Sequence, residues 1–209
     1  MGKIFNYDSK FFAGMTKVSD TIIINILFVI CSIPIVTIGA SITALYSVSM
    51  KITRDEEIYA AKEFIKQFKQ NFKQSTIIWI ILLVIGLFIG LDFYLCSLMS
   101  DNTISMIFKF IFTIVSVVLA FILIYVFPLT ARFENSIKNT LMNAVLMSIK
   151  HLPYTLIMLV LTLMPLGAFV LFGKYWGQIV FLDTCISFGV VAYINSMLLN
   201  KIFNGYIED

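Results

Sequence analysis

The stretch Asp20–Lys51, DTIIINILFVICSIPIVTIGASITALYSVSMK, carries no charge between its two ends. It is longer than the roughly 18–20 apolar residues that one helix needs to cross a bilayer core. Read as one span, it would put Lys3, Lys10 and Lys17 on one side of a membrane and the basic stretch 51–75 on the other. The tendency of lysine and arginine to stay on the cytoplasmic side opposes that reading. Pro34 breaks a helix and Gly39 loosens one, so the run reads as two short helices, 20–33 and 37–51, that enter and return. Thr37, Ser41 and Thr43 supply hydroxyls that can satisfy the backbone groups freed at the break, as in the broken helices of transporter sites or in a plain re-entrant turn.

The remainder of the chain agrees with a membrane environment. Of 209 residues, 60% are hydrophobic and 13% charged, and the mean hydropathy is +0.96, well outside the usual composition of a soluble domain. Further neutral runs occupy 110–131 and 151–173, and none alternates with the period of two that a transmembrane barrel requires. The expectation is an all-α polytopic bundle with six membrane segments near 20–33, 37–51, 76–98, 104–128, 152–172 and 178–200, forming one domain over 1–209. With the first pair broken, 13 of the 15 lysines and arginines fall on one side, leaving only Lys109 and Lys174 opposite. Both termini are then cytoplasmic, in a bacterial cytoplasmic membrane.

Two amphipathic cytoplasmic helices are expected. Residues 53–74, opened by a Thr53–Glu56 capping box, place Phe64, Phe68 and Phe72 on one face and lysines on the polar positions. Residues 134–150 repeat apolar side chains every four positions. Either helix could lie in the inner membrane interface or receive another protein. Arg132, just ahead of the second, and Glu134 and Asn135 at its start are assigned with the three phenylalanines to contact with a partner or the membrane surface. Gly86 and Gly90 form a GxxxG that permits close approach to a helix of the same chain or of a second copy, so a homo-oligomer stays open.

Chemistry is sparse. A net charge of +3 does not suggest nucleic acid, and Cys31, Cys96 and Cys185 sit singly in apolar runs, as small hydrophobes do. One histidine, His151, rules out a multi-histidine metal site, and no nucleophile or phosphate-loop motif occurs. The protein reads as a non-enzyme with no metal and no cofactor. The strongly polar features inside the spans are Asp92, Lys109 and Asp183, about 7, 12 and 9 Å from the middle of their helices toward the outer face. Charges at a shared depth are costly in hydrocarbon, so they are expected to pair, to reach the interface, or to line a wet vestibule that binds a substrate or ion.

Pro34-Ile-Val-Thr-Ile-Gly-Ala-Ser41 with Thr43-Ala-Leu-Tyr46, Arg54-Asp-Glu-Glu57, Phe68-Lys-Gln-Asn-Phe-Lys-Gln74, Phe127-Pro128-Leu129, Ala131-Arg-Phe-Glu-Asn135 and His151-Leu-Pro153 together resemble the YesL-like family of bacterial membrane proteins. The resemblance spans nearly the whole chain. It implies an accessory or regulatory role beside a carbohydrate ABC-transport system, with transporter or sensor-kinase subunits as partners besides the lipid bilayer. It carries over no catalytic residues. A permease-type transport component with a polar vestibule in the outer half of the membrane is the alternative.

Overall fold

The computed structural model describes residues 10–98, 103–171 and 173–206. Among them every regular element is helical: α1 (Lys10–Cys31), α2 (Ile38–Thr53), α3 (Ala60–Leu98), α4 (Thr103–Arg132), α5 (Ile137–Lys150), α6 (Leu152–Leu171), α7 (Trp176–Leu182) and α8 (Phe188–Asn204). Five stretches are long and apolar enough to cross a membrane, and α5 with α6 forms a further pair bent by 104°. This is an all-α polytopic membrane protein.

The first neutral run is broken where proline predicts. α1 stops at Cys31, a 3₁₀ turn covers Ile35–Thr37, and α2 starts at Ile38. The Thr37 hydroxyl closes the break, 2.6 Å from the Cys31 carbonyl and 2.8 Å from that of Pro34. From the other side the Trp79 indole N–H donates to the Ile35 carbonyl at 2.8 Å. α3 runs on from Trp79 to Leu98, about 28 Å further at 1.5 Å per residue. The α1–α2 pair therefore turns back well short of the far end of α3.

α2 is the hub. Gly39, Ala40, Ser41, Thr43, Ala44, Leu45, Tyr46, Ser47, Val48, Ser49 and Met50 are all buried, so this helix is apolar because it is core. Small side chains on every face let its neighbours come close. α3 lies antiparallel to it, from Gly39 beside Ser75 and Trp79 to the Lys51–Glu63 ion pair, while α8 docks Asn200 on the Met50 carbonyl. A Cβ on Gly39 would sit 2.5 Å from the Trp79 Cβ and 2.6 Å from the Ser75 carbonyl oxygen, nearer than real atoms approach. The same holds at Gly189 of α8, where a Cβ would lie 2.7 Å from the Thr21 carbonyl oxygen.

Three expectations change. No separate helix covers 53–74. Thr53 ends α2, its hydroxyl donating to the Met50 carbonyl, and Asp55 turns the chain with φ 58°. α3 then begins at Ala60 and passes residue 74 without a break, because nothing between Gln74 and Thr76 interrupts a helix. Its 39 residues make about 58 Å, roughly twice a bilayer core. Exposed Lys62, Lys66, Lys69 and Lys73 give way to exposed Ile77, Ile80, Val84 and Phe88 along the rod, so the lysine-bearing turns project beyond the apolar part.

Phe64, expected at a surface, is fully buried in the core, since this segment turns that face toward α2 instead of lipid. Phe68 packs partly against the core, and its ring meets that of Phe72 edge-on at 5.5 Å; Phe72 remains exposed. The GxxxG also packs differently. Gly90 has nothing within 4 Å of a Cβ and Gly86 makes only an ordinary contact with Leu119, so the close-approach glycines are Gly39 and Gly189.

Gly39→Ala should therefore cost about 1–3 kcal/mol through overpacking, read as a lowered unfolding midpoint in detergent. Gly90→Ala should change the midpoint little. Equal effects at the two positions would contradict the close α2–α3 contact.

Candidate functional site

The polar features gather at three places. The first is a seam of buried amides along α8. Between α7 and α8 the helix widens into a π-helical stretch, Asp183–Ser187, which displaces backbone groups from their usual partners. Asn25 of α1 bridges the gap: its amide donates to the Thr184 carbonyl and its oxygen accepts from the Gly189 N–H, both at 2.7 Å. Lower on α8, the Asn195 amide donates to the Tyr46 hydroxyl at 3.2 Å and to Thr162 at 3.1 Å. Asn200 donates to the Met50 carbonyl and to Thr53, and accepts from Arg54 at 3.0 Å. Three asparagines thus tie α8 to α1, α2 and α6. The sequence reading passed over all three, although an amide inside an apolar run is itself a signal.

The second place is the break. Thr37 is engaged as described, Ser41 donates to the Thr37 carbonyl at 3.1 Å, and Thr43 bonds both the Gly39 carbonyl and the Ser75 hydroxyl, the latter at 2.8 Å. Pro34 precedes the 3₁₀ turn in extended conformation, and Gly39 makes the close approach to α3. All five residues expected at the break meet there, and their hydroxyls bond to the chain itself.

The third place is the lysine-bearing end. Arg132, Glu134 and Asn135 line a polar cavity of about 590 Å³ together with Gln67, Gln70, Asn71 and Gln74 of α3. The Gln74 amide holds the α4–α5 link, donating to the Asn135 carbonyl at 2.9 Å, and Ser136 caps α5 by accepting from the Asn139 N–H. The Arg132 Nε is buried without a hydrogen-bond partner. Ion pairs cluster at this same end: Lys17–Asp55, Lys51–Glu63, Arg54–Glu56 and Lys66–Glu63. The Lys51 ammonium, hydrogen-bonded to Glu63, holds that carboxyl below its ordinary range against the opposing effect of burial. His151, at the α5–α6 elbow, lies 3.0 Å from the Tyr206 hydroxyl, and burial and then Lys150 lower its pKa.

The charges expected at a common depth are arranged more loosely. Asp92 on α3 and Lys109 on α4 are each half-buried, near the facing rings of Phe93 and Phe112, which lie 6.2 Å apart. No ion pair joins the two. Asp183 opens the π-helical stretch, and its side chain lies outside the described residues.

The fold and these features define a polytopic helical membrane protein with its ion pairs gathered at the lysine-bearing end. Residues 21–93 match the model of a family described as a protein of unknown function, DUF624, in agreement with the YesL-like resemblance. The match covers the second half of α1, all of α2 and most of α3, the stretch that holds the break and the buried hub. No curated protein matches the chain, and no solved structure does.

Replacing Asn25 with Leu would remove the partner of the buried Gly189 N–H and of the part-buried Thr184 carbonyl. A loss of about 1–3 kcal/mol is expected, seen as a lower unfolding midpoint in detergent. An unchanged midpoint would mean that the π-helical stretch does not depend on the asparagine.

Proposed function

We infer that the protein is an accessory or regulatory component of the bacterial cytoplasmic membrane that docks a partner at its cytoplasmic, lysine-bearing end. The partner is a subunit of a carbohydrate ABC transporter or a sensor kinase, as the family resemblance implies. The observation that carries this reading is the cavity between α3 and the α4–α5 link, lined by Gln67, Gln70, Asn71, Gln74, Arg132, Glu134 and Asn135. Such a set of amides, one cation and one anion suits exposed polar backbone or side chains of another protein. It lacks the paired acid–base groups of an active site, and the role involves no catalytic step. Chemical crosslinking in native membranes with a photoreactive residue at Gln70, followed by purification, should recover a transporter or kinase subunit. Recovery of that subunit should fall severalfold with Arg132→Ala. Recovery of lipids alone, with no protein adduct, would overturn the role.

The orientation has its own test. In a background lacking Cys31, Cys96 and Cys185, a cysteine at Tyr175 should react with an impermeant maleimide added outside intact cells, and one at Lys69 only after lysis. The reverse pattern would place the lysine-bearing end outside and remove a cytoplasmic partner from consideration.

One observation favours the permease reading: Asp92 and Lys109 are half-buried in apolar helices with no ion pair between them, leaving both charges available to water, an ion or a sugar hydroxyl. Under that reading Asp92→Asn abolishes ligand-dependent stabilisation of the purified protein. Under the accessory reading it leaves partner capture intact.

A further inference from the structure

A second cavity adjoins the α4–α5 link, and its chemistry is different. It encloses about 470 Å³, within the range of small-molecule sites. Leu129 and Phe133 of α4, Leu146 and Met147 of α5, and Tyr206 beyond α8 form most of its wall. Asn143 and Lys150 are the polar groups that α5 contributes, and no carboxylate lines it among the described residues.

The setting of α5 says what can reach this cavity. α5 meets α6 at 104°; with α6 upright in the membrane, α5 lies close to the membrane plane. Thr140, Ala144 and Ser148 face the protein, while Met142, Leu146 and Ile149 are exposed, and the apolar stripe continues around the elbow to Leu152 and Leu156. A helix so placed has its apolar face in acyl chains and its flanking cations at headgroup level. The cations are present. The Lys150 ammonium stands 4.7 Å from the centre of the Tyr206 ring, and that of Lys201 stands 6.0 Å from Tyr154. Neither takes part in an ion pair among the described residues, whereas Lys17, Lys51, Arg54 and Lys66 all do.

We propose that this cavity is a binding site for an anionic diacyl phospholipid, one acyl chain lying against Leu129, Phe133, Leu146 and Met147 and the phosphate meeting Lys150 beside the Asn143 amide. The apolar wall selects a lipid over a soluble phosphate, and the Lys150 ammonium, in no ion pair among the described residues, selects an anionic headgroup over a zwitterionic one. The cavity shares Phe133 and Asn135 with the polar cavity across the link, but the lipid site does not depend on any partner docking there.

The test is native mass spectrometry of the intact protein released from micelles holding equal amounts of phosphatidylglycerol and phosphatidylcholine. The wild type should retain phosphatidylglycerol severalfold more often. Lys150→Gln should bring the two lipids level, Lys150→Arg should restore the preference, and Leu146→Trp, which fills the cavity, should lower retention of both. Lys138→Gln, an exposed lysine on the same helix outside the cavity, should change nothing. Inorganic phosphate at millimolar concentration should not displace the lipid. A phosphatidylglycerol preference that survives both Lys150→Gln and Leu146→Trp would overturn the site. So would displacement by phosphate alone.

Discussion

The close packing of α2 against α3 at Gly39 is the constraint on which the rest of the bundle depends. With no Cβ at that point, the Ser75 carbonyl and the root of Trp79 come within a distance no side chain would allow. The approach brings the Thr43 and Ser75 hydroxyls together at 2.8 Å and places the Trp79 indole where it can hold the Ile35 carbonyl. Direct contact between helices matters more here than in a soluble protein, because lipid tails are as apolar as leucine and the hydrophobic effect does not choose between lipid and a neighbouring helix. The small residues along α2 repeat this logic on its other faces, which is how one short helix can be enclosed by α1, α3, α4 and α8.

Enclosing α2 creates a second requirement. Its many hydroxyls and the backbone interrupted between α1 and α2 need partners in a place water does not reach, and an unmet polar group there costs several kcal/mol. Most are met by the chain itself, through i−4 carbonyls for Ser41 and Thr43 and through Asn195 for Tyr46. The hydroxyls of Ser49 and Ser196 and the Asn195 side-chain oxygen remain buried and unpartnered. The α2–α8 contact therefore combines satisfied amides, which fix the register of α8, with a few unmet groups that weaken it. The α2–α3 contact has a satisfied hydroxyl pair at its closest point.

Much of this was legible beforehand, and the limits have physical causes. The break at Pro34 could be read because proline acts through its own ring and its missing N–H, wherever the rest of the chain lies. The spans could be read because bilayer thickness sets a length that composition must match. Phe64 was misplaced because a ring every four residues looks alike whether it faces lipid or another helix; only the tertiary arrangement, with α2 covering that face, separates the two. The same ambiguity hid the continuity of α3, whose lysines read as a separate surface helix when they are the end of a rod longer than the membrane. In the candidate sites, Arg132, Glu134 and Asn135 stood out in the sequence through the Ala131–Asn135 block that carries the family resemblance. Gln70, Asn71 and Gln74 lay within the quoted Phe68–Gln74 block, but neither they nor Gln67 was assigned to a site, since neutral amides on a polar helix face do not say what they meet until a facing element makes them a wall.

The two ends of the molecule differ in what they can recognise. Beyond Trp79, α3 and α4 run as a hairpin whose outward side chains, among them Leu87, Phe88, Leu91, Ile107 and Phe110, are apolar and exposed, a surface that lipid satisfies without specificity. At the opposite end the chain turns at Asp55, at Phe133–Ser136 and at His151, and every turn exposes backbone and charged side chains that lipid cannot satisfy. Some of these groups pair with one another, as Arg54 does with Glu56 and Asn200. Others, the Arg132 Nε among them, do not. Among the described residues, the Arg132 Nε is thus a fixed polar group left without a hydrogen-bond partner where the helices stop, whereas the unpaired Asp92 and Lys109 sit half-buried along the apolar hairpin, so polar groups are set differently at the two ends.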